Sequence, residues 1–257
     1  MNQDSAEYLK KKEFFDQILT VYGRNPVYEA ISDKNVQIFR LHLSESNKPA
    51  KILDKIIALC RERGAEVLYH SKRELSRISK NAKQDQGIAV DLKLNYFYTF
   101  DKALQQKVHS TDQYIALDGV TNPQNLGMII RSVCASPLKG LILPKSGCAK
   151  IDSLVIKAST GTLFRTPIFQ SKSLAESLRN AKQKGFEVIA LDVNASTALK
   201  DYHPQKPCIF VLGNETEGLS TIVQKQCDNI IRIPMCNNVE SLNVAITASL
   251  IAFRSQL

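Results

Sequence analysis

No apolar run in the 257-residue sequence approaches the ~20 residues that span a bilayer. The chain opens Met1-Asn2-Gln3-Asp4, without the basic and apolar regions of a secretory signal, so a cytoplasmic, reduced setting is expected. The cysteines Cys60, Cys134, Cys148, Cys208, Cys227 and Cys236 are scattered, and none forms a C-x-x-C pair. None lies at ligand spacing to His42, His70, His109 or His203, which argues against a metal site. Cys208 precedes Ile-Phe-Val-Leu, the setting of a buried free thiol. No G-x-G-x-x-G follows a strand and no G-x-x-x-x-G-K-[ST] occurs, which excludes the ordinary dinucleotide crossover and the P-loop NTPases. The G-x-S-x-G and H-E-x-x-H parts of common hydrolases are absent as well. There is no internal repeat and no low-complexity tract.

What is present points to an α/β protein. The length suffices for two ordinary domains or one large one, and strand and helix patterns alternate. A formal net charge of +9 favours an anionic partner, either nucleic acid or a membrane surface. Residues 4–20 read as a helical extension, with Leu9, Phe14, Phe15, Ile18 and Leu19 on one side and Lys10, Lys11 and Lys12 opposite. A turn then enters a helix, with Asn25 as N-cap and Pro26 at its first position. Over 21–94 the reading is a small βαβαβ unit, with strands at 36–43, 66–69 and 87–92 and helices at 50–63 and 72–81. The last helix is basic, with Lys72, Arg73, Arg77 and Lys80 nearby in sequence. Either it is a solvated face or it contacts phosphates. Residues 95–112 read as a linker partly docked through Tyr96, Phe97, Tyr98 and Phe100.

The second domain, 113–257, carries three segments of one grammar: an apolar strand, a loop of Gly, Asn, Glu, Pro or Ser, then a helix. They are Ile115 to Arg131, Val211-Leu-Gly-Asn-Glu-Thr-Glu-Gly-Leu219, and Ile233-Pro-Met-Cys-Asn-Asn-Val-Glu-Ser-Leu-Asn-Val-Ala245. Ligands bind where strands of an open α/β sheet end in such loops, so the three read as parts of one site. The first helix is placed from about Asn125, and the terminal helix is capped by Ser241.

Taken together, Asn122-Pro-Gln-Asn-Leu-Gly127 with Arg131, Leu212-Gly-Asn-Glu-Thr-Glu-Gly-Leu219, and Ile233-Pro-Met235 with Ser241-Leu-Asn-Val-Ala245 resemble the SpoU (TrmH-like) branch of the SPOUT methyltransferases. Lys157-Ala-Ser-Thr-Gly161 is similar to a further family element. Tyr22-Gly-Arg-Asn-Pro-Val-Tyr-Glu-Ala and Asp85-Gln-Gly-Ile resemble the edges of the L30e-like RNA-binding domain often fused to these enzymes. The resemblance implies an α/β fold with a mostly parallel sheet closed as a trefoil knot, a homodimer, and S-adenosylmethionine held by Leu191, Leu212, Gly213, Ile233, Met235 and Leu242. It implies methyl transfer to a ribose 2′-oxygen of RNA, with a guanosine of large-subunit ribosomal RNA favoured over tRNA. Under it Arg131 clamps the target phosphate and acidifies the 2′-hydroxyl, while Asn125 holds that arginine and the ribose. Glu215 orients them, and Ser241 and Asn243 complete the pocket. Arg24, Lys72, Arg73, Arg77 and Lys80 become RNA contacts. A tRNA methyltransferase, a resistance enzyme acting on ribosomal RNA and a non-catalytic RNA-binding factor are the competing readings. Three departures stand out: Thr216 and Asn237 occupy positions commonly glycine in the family, and Ser136-Pro137 replaces the usual Phe-Gly.

Overall fold

The computed structural model describes residues 18–34, 36–93 and 97–256, and the chain divides into two units, Met1–Asn95 and Tyr96–Leu257. Residues 4–17 of the expected amino-terminal helix lie outside the described residues, and 18–20 are not helical. They open strand β1 (Ile18–Tyr22), which pairs antiparallel with β4 (Ile88–Lys93) from Ile18↔Lys93 to Tyr22↔Ala89. The run Ile-Leu-Thr-Val-Tyr is rich in β-branched and aromatic residues, and pairing with a neighbouring strand overrides its helical spacing. Gly23 follows at φ 88°, a backbone conformation that favours glycine. Helix α1 (Arg24–Ser32) therefore begins one residue before Asn25, and Asn25 and Pro26 lie in its first turn rather than at the cap and first position.

The rest of this unit comprises β2 (Gln37–Ser44), α2 (Lys51–Glu62), β3 (Glu66–His70) and α3 (Lys72–Ser79). The sheet order is β1-β4-β2-β3, with only β2 and β3 parallel. Ile31, Leu41, Ile56, Ile88 and Leu92 are fully buried in its core. Helix α3 starts with a capping box, in which Ser71 accepts from the Glu74 amide and Glu74 accepts from the Ser71 amide. It stops at Lys80, which is left-handed at φ 54°, two residues short of the expected end. Leu75 and Ser79 are its buried side, one turn apart.

The second unit is one eight-stranded sheet in which every strand pairing is parallel. Its strands are β5 (Phe97–Thr99), β6 (Gln113–Leu117), β7 (Gly140–Pro144), β8 (Ile168–Ser171), β9 (Glu187–Leu191), β10 (Thr197–Ala198), β11 (Cys208–Leu212) and β12 (Asn229–Arg232), in the order β10-β12-β9-β11-β6-β7-β8-β5. Part of the stretch read as a linker is thus built into this sheet. Strand β5 forms its edge against β8, and the short helix α4 (Phe100–Ala103) buries Phe100 edge-on against Tyr114 and Phe169. The longer helices are α5 (Pro123–Cys134), α6 (Ser153–Ser159), α7 (Leu174–Gln183) and α9 (Val244–Phe253), with a single turn, α8 (Thr221–Gln224), between β11 and β12. A Cβ on Gly127 would sit 2.4 Å from Ala158 Cβ and 2.9 Å from the Val155 carbonyl, so α5 and α6 touch where no larger residue fits.

Strand order reverses between β6 and β11. From β6 the chain runs outward through β7 and β8, whereas β11, β9 and β12 lie on the other side. The crevice outside the carboxyl ends of strands at such a switch point is where open α/β sheets take their ligands. The loops after β6, β11 and β12 all leave from that edge, because the strands are parallel.

Candidate functional site

The loop after β11 is the most constrained of the three. Asn214 and Gly218 exchange both backbone hydrogen bonds at 2.9 Å, folding 214–218 into a closed turn. Inside it, Asn214 Oδ1 accepts from the amides of Thr216 (2.8 Å) and Glu217 (3.1 Å), and Asn214 Nδ2 donates to the Gly119 carbonyl at 2.8 Å. Gly213 has no room for a side chain, since a Cβ there would lie 2.3 Å from the Gly218 carbonyl carbon. Thr216 is accommodated without strain because the left-handed residue is Gly218, at φ 70°. The loop after β6 is stitched to the same turn. The Asp118 amide donates to the Leu212 carbonyl at 2.8 Å, and the Asp118 carboxylate accepts from the Ser220 amide (2.8 Å) and hydroxyl (2.7 Å).

Asn122 caps α5, accepting from the amides of Gln124 and Asn125, and Pro123 takes the first helical position. The helix therefore starts two residues before Asn125, and Asn125 is not its cap. Instead its side chain, 6 % exposed, is engaged at both ends. Nδ2 donates to Glu215 Oε1, and Oδ1 accepts from Asn243 Nδ2 at 3.0 Å. Burying an amide without partners costs several kcal/mol, about 2–7 by reference state. These two bonds offset that cost and fix which way the amide points. The terminal helix is also capped differently from expectation. Asn243, not Ser241, accepts from the Ala245 amide at 2.9 Å. One chain of hydrogen bonds thus joins the loop after β11, the start of α5 and the start of α9.

Beside this chain is a cavity of ≈ 140 Å³ lined by Leu191, Asp192, Val193, Arg232, Ile233, Met235, Ser241, Leu242 and Thr247. It gathers Leu191, Ile233, Met235, Leu242 and Ser241 from the sequence-derived set. Leu212 is buried in the last position of β11, and Gly213 lies partly buried just beyond it; neither lines the cavity. Asn237 and Asn238, in the loop that forms one wall, are both left-handed at φ 55° and 57°. Asparagine takes that conformation at low cost, so the absence of glycine at 237 leaves the loop intact. Asp192, Val193, Arg232 and Thr247 were missed as lining residues. Asp192 and Arg232 follow or end strands, a signal that strand boundaries alone supply. Thr247 is brought in by helical spacing from Asn243.

Arg131 lies apart from the cavity. It is exposed on the face of α5 that also carries Met128 and Gln124, one and two turns earlier, and among the described residues its side chain has no hydrogen-bond or ionic partner. The five basic residues proposed for RNA all belong to the first unit. Lys72, Arg73, Arg77 and Lys80 are exposed, and Arg73, Arg77 and Lys80 share one side of α3 and its cap. Arg24 Nε donates to the Gln86 carbonyl at 3.3 Å, placing it on the loop that follows α3. Burial pushes the thiols of Cys60 and Cys227 up to about 11 and that of Cys208 to about 12, so these cysteines stay protonated and unreactive near neutrality. Among the described residues no group of histidine, cysteine and carboxylate side chains is arranged to hold a metal ion, and no helix is long and apolar enough to cross a membrane.

A parallel sheet with a polar cluster and an apolar cleft at its switch point is the arrangement in which open α/β proteins hold a ligand. Comparison with known proteins makes the class specific. Residues 112–253 match the SpoU rRNA methylase family, and residues 20–97 match a model described as RNA 2′-O ribose methyltransferase substrate binding. An uncharacterized tRNA/rRNA methyltransferase of Mycobacterium leprae is 31% identical over 251 residues, covering 97% of this chain and 80% of that one. Its counterpart in Mycobacterium avium is 30% identical over 233 residues, covering 90% and 75%. Among solved structures, an AdoMet-bound rRNA methyltransferase from Sinorhizobium meliloti shares the fold at a TM-score of 0.65 and 24% identity, covering 96% of this chain and 90% of that one. The AdoMet complex of the SpoU methyltransferase AviRb from Streptomyces viridochromogenes gives 0.67 at 22% identity, covering 98% and 92%. The chain belongs to the SpoU rRNA methylase family.

Proposed function

We propose that the protein methylates a ribose 2′-oxygen of RNA with S-adenosylmethionine as donor, and that its target is a guanosine of large-subunit ribosomal RNA. The observation that carries this reading is the Asn243–Asn125–Glu215 chain, which joins three loops beside a cleft at the sheet's switch point. The cleft fits the donor chemically. Leu191, Ile233, Met235 and Leu242 offer an apolar seat for an adenine ring, while Ser241, Thr247 and Asp192 offer polar groups to a ribose and an amino-acid tail. Leu212 and Gly213 support the adjoining wall. The donor supplies a methyl group already activated by its sulfonium.

The protein's part is then alignment and help with the hydroxyl proton. The Arg131 guanidinium clamps the target phosphate and makes the neighbouring 2′-hydroxyl more acidic. Asn125 and Asn243 are positioning residues that hold α5 and α9 in register, and Glu215 orients Asn125. Ser132, the residue after Arg131, and Ser249, whose hydroxyls meet at 2.8 Å, fasten the same two helices. Threading of the 233–243 segment and α9 through a trefoil knot, and a homodimer formed over α5 and α9, belong to the same proposal. Met128 and Ile246, 42 % and 52 % exposed on those helices, support it, as does the apolar character of α9 all round.

Relatives named tRNA/rRNA methyltransferase keep tRNA as the second reading. The deciding experiment supplies labelled S-adenosylmethionine with separate pools of unmodified ribosomal RNA and tRNA. Label in an alkali-resistant dinucleotide from the ribosomal pool is expected. Label from tRNA alone replaces the substrate, and label that does not survive as such a dinucleotide refutes ribose methylation.

A further inference from the structure

Four side chains on one face of the first unit's sheet form a continuous hydrogen-bond chain that the methylation chemistry does not use. Thr20 Oγ1 donates to Asp91 Oδ1 at 2.6 Å, Asp91 Oδ2 meets His42 Nε2 at 3.1 Å, and His42 Nδ1 meets His70 Nε2 at 2.9 Å. His42 is 5 % exposed and Asp91 is partly buried, whereas His70 reaches the surface at the end of β3, directly before the Ser71 cap of basic helix α3. Apolar residues would fill these positions in a sheet more cheaply than a buried polar chain.

The proton inventory of the chain follows from its geometry. Asp91 accepts from Thr20 and faces His42 Nε2, so that nitrogen carries hydrogen and, in the neutral pair, His42 Nδ1 is a lone pair. His42 Nδ1 must then accept from His70 Nε2–H, which leaves His70 Nδ1 without hydrogen. Adding one proton to the pair changes this. If the charge sits on His70, Nδ1 gains hydrogen directly. If it sits on His42, Nδ1 of His42 becomes the donor, Nε2 of His70 becomes the acceptor, and His70 again carries its hydrogen on Nδ1. In either arrangement a single proton turns Nδ1 of His70, the nitrogen not bonded to His42, from acceptor into donor, with the Asp91 carboxylate at the other end of the chain.

We infer that His70, which immediately precedes the cap of the basic helix bearing Lys72, Arg73, Arg77 and Lys80, is a proton-gated contact for an RNA phosphate. This rests on the RNA-methylation reading. The groups facing the pair are Asp91 from β4, Arg40 ion-paired with Glu66 at 2.8 Å on β2 and β3, and Glu74 of α3. Glu74 is engaged with its own helix cap through Ser71. A phosphate at His70 satisfies the donor state alone, so binding takes up a proton.

The test measures binding of the full chain to unmodified ribosomal RNA by fluorescence anisotropy at pH 5.5 and pH 8.0, for the unsubstituted protein, His70→Gln and Asp91→Asn. Affinity of the unsubstituted chain is expected to rise several-fold, about 5–10-fold for one charged phosphate contact, on going to the lower pH. That ratio should collapse toward one in His70→Gln and shrink in Asp91→Asn, which keeps the Thr20 contact and the shape of the sheet. Equal thermal midpoints at pH 8.0 check that the fold is retained. Binding with the full pH ratio preserved in His70→Gln overturns the assignment of His70 alone. Failure of the unsubstituted chain to bind at either pH overturns both this assignment and the RNA reading.

Discussion

Asn125 shows how a short polar side chain can be worth more than its size. Buried within α5, it spends one amide atom on Glu215 and the other on Asn243, residues that lie 90 and 118 positions away. Arg131 on the same helix is its opposite, exposed and unengaged among the described residues. The contrast separates positioning from chemistry, and it makes a prediction. Arg131→Ala should lower methyl transfer by at least 10²-fold, in the range for removing one group that stabilises developing charge, while calorimetric binding of S-adenosylmethionine and the thermal midpoint stay as they were. Activity within a few-fold of the parent would remove Arg131 from the reaction. The three loops were legible in the sequence because they share one grammar, and the family resemblance assigned their residues and paired Glu215 with Asn125, but the Asn243 contact was not foreseen. Which asparagine caps a helix and which is buried depends on where the helix starts. Asn122 and Asn243 turned out to be the caps, and Asn125 and Ser241 did not.

At the scale of elements, most strands and helices were readable because β-branched runs and apolar stripes are local signals. The failures are places where a distant partner decided. Ile18–Tyr22 is a strand because β4 is there to pair with it, and Phe97–Thr99 joins a sheet whose neighbouring strand lies some seventy residues on, Phe97 against Ile168. Helix α3 is a case where local rules sufficed for the helix and its basic character, although the capping box at Ser71 and the burial of Leu75 appear only in the structure. Reversing Lys72, Arg73 and Arg77 to glutamate should weaken RNA binding and reduce the slope of log affinity against log salt by about 2–3, since each lost phosphate contact removes roughly 0.7–0.9. An unchanged slope would make that face merely solvated. The three residues are exposed, so circular dichroism should report an intact helix.

For the whole molecule, the division into two units matches two kinds of task, with the basic helix in one and the apolar cleft in the other. Exposed Met128 and Ile246 set a test of assembly. Replacing both with glutamate should convert a sedimenting dimer to monomer with the fold retained, and methylation should fall with it. A parent chain that sediments as a monomer at micromolar concentration would refute the dimer.

The parallel sheet also has a consequence for how the protein is made. Its centre pairs β6 with β11, and Asn214 reaches back 95 residues to hold Gly119. A ribosome adds about 5–20 residues each second, so β6 emerges and waits some 5–20 s before its central neighbour exists. During that interval the apolar edge Ile115-Ala-Leu117 has no partner on that side. The first unit pairs its strands within itself, so it is free to finish earlier. Synthesis therefore delivers the unit with the basic helix before the unit with the cleft, and the nascent second half is the part whose apolar strand edge waits longest for its partner.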